Sequence, residues 1–65
     1  MSKSYWIYFN FVARPNLSVR LAMKKVDFDF VSNFAKDILM EHWDWEGSAL
    51  IIDADTGIEV AIIDL

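Results

Sequence analysis

Ser4-Tyr5-Trp6-Ile7-Tyr8-Phe9-Asn10-Phe11-Val12 is the stretch whose reading decides the fold. Its aromatic and β-branched residues, with no helical period, predict a strand. Tyr5, Ile7, Phe9 and Phe11 fall on one side; Trp6, Tyr8, Asn10 and Val12 fall on the other. Both sides are largely apolar, as befits a central strand. Ala13-Arg14-Pro15-Asn16 reads as a turn, because Pro15 fixes its own φ and Asn16 tolerates left-handed geometry. Residues 17–24 then alternate, with Leu17, Val19, Leu21 and Met23 inward and Ser18, Arg20, Ala22 and Lys24 outward. These two strands are expected to pair as a hairpin.

A helix is expected to start at Asp27, a good N-cap residue, with Val26 and Val31 at the positions of a hydrophobic staple. Asp29 suits the positive end of the helix dipole. Helical spacing puts Phe30, Val31, Phe34, Ala35, Ile38 and His42 on one face, with Glu41 at its edge. The helix is expected to end between His42 and Trp45, with Gly47 releasing the chain.

A second hairpin follows. Leu50 and Ile52 alternate with Ala49, Ile51 and Asp53, and Ile58, Val60 and Ile62 alternate with Glu59, Ala61, Ile63 and Leu65. Between them Asp53-Ala54-Asp55-Thr56-Gly57 predicts a type I turn closed by a left-handed glycine. The reading is an α+β fold, ββαββ, a four-stranded antiparallel sheet with one helix on one face, in a single domain of residues 1–65. The helix is expected over Ile7, Phe9, Val19, Leu21, Leu50, Ile52, Val60 and Ile62. That leaves Trp6, Tyr8, Val12, Ile51, Ala61 and Ile63 as an exposed apolar surface of the kind that marks interfaces.

Composition narrows the function. There is no cysteine and one histidine, so disulfide frameworks and multi-imidazole zinc sites are excluded. A hydrophobic content of 55% excludes disorder. Apolar runs of four or five residues are too short to span a membrane. Met1-Ser2-Lys3-Ser4 carries no leader signature, so a cytoplasmic location is expected. Residues 1–26 hold Lys3, Arg14, Arg20, Lys24 and Lys25 and no acid, a formal +5. Residues 27–65 hold Lys36 and ten acids, a formal −9, and the whole chain is −4.

The acids are the leading candidates for a partner-binding site. Asp29, Asp37, Glu41 and Asp44 spread along the helix over roughly 22 Å, and Glu46, Asp53, Asp55 and Glu59 follow. Rows of carboxylates compete with phosphates for basic grooves, whose affinity is mostly electrostatic. The alternative is a solvated face that keeps a small apolar protein soluble. Trp43 and Trp45 flank Asp44 and make good interface anchors, with Trp45 the better candidate for capping the core. Asp53 and Asp55 match the first two ligand positions of a calcium loop, but Gly57 and Ile58 stand at the fifth and sixth, and a tight hairpin explains them without metal. No cofactor motif, Gly-rich phosphate loop or nucleophile–base arrangement is present, so catalysis is not expected.

In size, acidity and element order the chain is similar to the small phage-encoded anti-CRISPR proteins that mimic nucleic acid. The resemblance implies an inhibitor of a bacterial CRISPR surveillance complex, with the acids standing in for phosphates; the +5 segment departs from a pure DNA mimic. Two other readings are a self-associating module using the Trp6 and Tyr8 face, and a single-stranded nucleic-acid binder stacking bases on that face beside Arg20 and Lys24. Direct nucleic-acid binding is disfavoured by the acidic remainder. A monomer or a homodimer is compatible with all of this.

Overall fold

The aromatic strand lies inside the sheet. The computed structural model describes residues 3–65; Met1 and Ser2, part of the leader expectation, lie outside the described residues. In chain order it contains β1 (Lys3–Phe11), β2 (Ser18–Val26), α1 (Phe28–Glu41), a short 3-10 turn (Trp43–Trp45), β3 (Gly47–Asp53) and β4 (Glu59–Asp64). The strand order is β2-β1-β3-β4 and every neighbouring pair is antiparallel. The small α+β ββαββ fold is therefore as the sequence predicts. Both hairpins form, and α1 carries the chain across β1 to reach β3.

The faces of the two hairpins correct the sequence reading in part. On β1 and β2 the inward set is Tyr5, Ile7, Phe9, Phe11, Val19, Leu21 and Met23, as alternation predicts. Leu17 precedes β2 and is exposed. On β3 and β4 the expected parity is reversed: Ala49, Ile51, Ala61 and Ile63 face the helix, while Leu50, Ile52 and Ile62 lie on the open side. The reason is volume. Phe9 pairs with Ala49 and Phe11 with Gly47, so the two inward phenylalanine rings of β1 each meet a small residue on β3. Leu50 and Ile52 in those places would overfill the layer under α1. An added Cβ on Gly47 would sit 2.5 Å from the Phe11 ring and 3.0 Å from Leu39. Gly47→Ala is therefore expected to lower stability by about 1–3 kcal/mol in chemical denaturation, as overpacking does.

The helix is rotated from the predicted face. Val31, Ala35 and Leu39, spaced four apart, are fully buried, with Phe34 and Ile38 beside them. Phe30, expected inward, is 53% exposed. Asp27 is the N-cap residue and its carbonyl accepts the Val31 N–H, but its side chain makes no capping hydrogen bond. Val26 is half-buried against the core. α1 ends with His42 as its C-cap, within the expected bounds.

Left-handed backbone falls on Lys25 (φ 55°), Glu46 (φ 52°) and Gly57 (φ 74°), not on Asn16. Lys25 coincides with one extra residue in β2, since Lys3 pairs with Val26 but Tyr5 with Met23. Gly57 closes the β3–β4 turn as predicted, its N–H donating to the Asp53 carbonyl at 2.8 Å. No helix among the described residues is long and apolar enough to cross a membrane.

Candidate partner-binding surface

The antiparallel order places the acids at two ends of the sheet. Glu41, Asp44, Glu46 and Asp64 lie at the end where α1 finishes and β3 begins, with Asp37 one helical turn before Glu41. Asp29, Asp53, Asp55 and Glu59 lie at the other end, which also carries Lys3, Lys24 and Lys25. The single acidic row expected from the sequence is thus two groups, and one of them is interleaved with lysines.

Asp53 serves the fold. It is buried, and one carboxylate oxygen accepts the N–H groups of Asp55 (2.8 Å) and Thr56 (3.3 Å), while the other meets Lys3 Nζ at 3.4 Å. The Asp55 N–H does most to hold its pKa below the ordinary aspartate value; the Thr56 N–H and Lys3 add to this, and desolvation opposes it. The depressed folded pKa means Asp53 stabilises the fold above the unfolded-state value and loses that contribution as pH falls through the folded one. Asp53→Asn is expected to lower the melting temperature at neutral pH. The gap to the parent should narrow in acid, below about pH 4; a gap independent of pH would contradict the role of the charge. With its oxygens engaged by the turn, Asp53 needs no cation to explain its position.

The α1 end is built to hold side chains in place. The Val12 and Ala13 N–H groups donate to the Glu46 and Trp45 carbonyls at 3.2 and 3.1 Å, tying the 3-10 turn to the β1–β2 loop. Trp45, half-buried, meets Phe11 edge-on at 5.2 Å and stacks on His42 at 4.4 Å, and the Arg14 guanidinium lies 5.1 Å over its ring. It caps the core, the role the sequence favours for it. Beside Trp45 and His42 opens an apolar groove of about 200 Å³, walled also by Phe9, Leu17, Val19 and Ile38. Trp43, two residues earlier, is 72% exposed. Near it in the chain, Asp37, Met40, Glu41, Asp44 and Glu46 are all exposed. Among the described residues, none of those four carboxylates makes an ion pair.

This arrangement works against the helix. Asp37 and Glu41 are a like-charge pair one turn apart. Glu41, the last helical residue, faces the negative end of the dipole, and no basic residue occupies the last turn.

The open sheet face is the second candidate surface. Trp6, Tyr8, Leu50 and Ile52 lie half-exposed across its centre, and Ile62 is 61% exposed at the β4 edge. The Arg20 guanidinium sits 4.7 Å over Trp6 and 5.8 Å over Tyr8. The sequence reading placed Trp6 and Tyr8 here and missed Leu50, Ile52 and Ile62, for the parity reason given above. Comparisons with protein-family models, curated proteins and solved structures gave no match for this chain.

Proposed function

We propose that this chain is a binding protein whose α1 end, carrying Asp37, Glu41, Asp44, Glu46 and Trp43, docks into a positively charged groove of a partner macromolecule. The observation that carries the reading is an acidic group without ion pairs among the described residues, placed where the helix dipole and like-charge neighbours disfavour it, and close in the chain to an exposed tryptophan. Solubility alone asks for charge anywhere on the surface, not at the least favourable end of the only helix among the described residues. Tryptophan supplies the apolar anchor that a purely ionic contact lacks, and the backbone ties at Trp45 and Glu46 keep the surface ordered before binding. A groove that accepts such a surface is one that otherwise holds phosphates.

The same reading extends to an inhibitor that mimics DNA at a bacterial CRISPR surveillance complex, acting by occupancy and requiring neither cofactor nor catalysis. Titration of the protein into a panel of such complexes carrying labelled target duplex tests this extension. Release of duplex at one protein per complex is the expected result. Undisturbed duplex throughout the panel overturns the CRISPR assignment.

A further inference from the structure

The register of the sheet orders the open face into rows that point to its occupant. One row runs Ser18, Asn10, Ser48, Asp64; the next Arg20, Tyr8, Leu50, Ile62; the next Ala22, Trp6, Ile52, Glu59. Read across the strands, the face is basic along β2, with Arg20 and Lys24, apolar along β1 and β3, and acidic along β4, with Glu59 and Asp64. A surface that is positive at one edge and negative at the other is complementary to itself under one rotation.

We propose that this face binds a second copy of the chain about a two-fold axis parallel to the strands. That axis exchanges the two edges of the sheet while preserving height along the strands, because it turns β2 onto β4 and β1 onto β3 of the second copy. Arg20, swung out from its place over Trp6 and Tyr8, then stands level with Ile62 and reaches Asp64 and Glu59 one row to either side, and Lys24 lies beside Glu59. Trp6 and Tyr8 cover Ile52 and Leu50. The other in-plane two-fold, perpendicular to the strands, sets β2 on β2 and brings like charges together at both edges. Complementarity therefore selects one orientation of an isologous pair. The two sheets pack aligned, about 10 Å apart. Four strands of this length offer about 450 Å² per face by strand spacing and rise, which places the pair among weak, reversible dimers. The pairing leaves Asp37, Glu41 and Asp44 of the α1 end free, since α1 lies on the opposite face, and it approaches the surface proposed above only at Glu46, which borders Asn10, Ser48 and Asp64.

Sedimentation velocity over about 1–500 μM at low salt, a range that brackets weak association, tests the proposal on three proteins. The parent is expected to shift from monomer to dimer with concentration. R20E/K24E, acidic at both edges, and E59K/D64K, basic at both, are each expected to stay monomeric, and their equimolar mixture to recover the dimer. Recovery also shows that both variants fold, and circular dichroism of each checks this separately. A parent that is monomeric throughout, a dimer that survives either edge reversal, or a mixture of folded variants that stays monomeric would each overturn the proposal.

Discussion

Truncating Leu39 to alanine is expected to lower stability by about 2–5 kcal/mol, the range for large-to-small changes in a close-packed core. A chain of this length has roughly 3–10 kcal/mol in total, so the variant should lose about half of its stability. The reason is position. Leu39 is fully buried, at the end of the Val31–Ala35–Leu39 column, where it lies against Gly47 at the start of β3. The Phe11 ring is already close against Gly47. Met40, the next residue, is exposed, and Met40→Ala is expected to change stability by less than about 0.5 kcal/mol. Urea denaturation followed by circular dichroism compares the pair. Equal effects at the two positions would contradict the helix orientation.

Neutralising the α1 end is expected to strengthen the fold while abolishing binding. In D37N/E41Q/D44N the like-charge pair, worth about 0.2–0.5 kcal/mol, disappears. The unfavourable interaction of Glu41 with the dipole, about 0.3–1 kcal/mol, disappears with it. The sum is about 1 kcal/mol, or roughly 4–8 °C in melting temperature for a domain of this size. Because these charges are exposed, the gain should shrink at high salt. Most surface substitutions fall within about ±0.5 kcal/mol; a gain of this size together with a loss of affinity marks carboxylates retained for contact with another molecule. An unchanged or lower melting temperature in low salt would remove the argument that the acids burden the helix.

The first hairpin and the helix were legible because their patterns are unambiguous. Alternation in residues 17–24 separates Val19, Leu21 and Met23 from Arg20 and Lys24, and Val26 with Asp27 announces the helix start. The parity of β3 was not legible locally. Ala49-Leu50-Ile51-Ile52 is apolar on both sides, and choosing the larger residues as inward fails where the opposing strand already supplies the bulk through Phe9 and Phe11. The same long-range fact rotates the helix stripe: Leu39 can enter because Gly47 is beneath it, and Phe30 is left outside. At the candidate surface, Trp45 as core cap and Trp43 as exposed ring follow from helical spacing, since Trp45 continues the Phe34 and Ile38 side. The division of the acids between two ends did not follow, because it depends on strand order. The burial of Asp53 depends on the hydrogen bonds of a turn that the sequence located but whose acceptor it did not name.

Affinity capture with the immobilised parent and with D37K/E41K/D44K, side by side from one bacterial lysate, tests the binding surface most directly. The parent should retain a stoichiometric partner that excess duplex DNA releases, and the reversed variant, folded by circular dichroism, should retain at least about 100-fold less, as expected when several interfacial charges are inverted. Retention of the same proteins by both, or a partner that duplex DNA fails to release, would contradict the account.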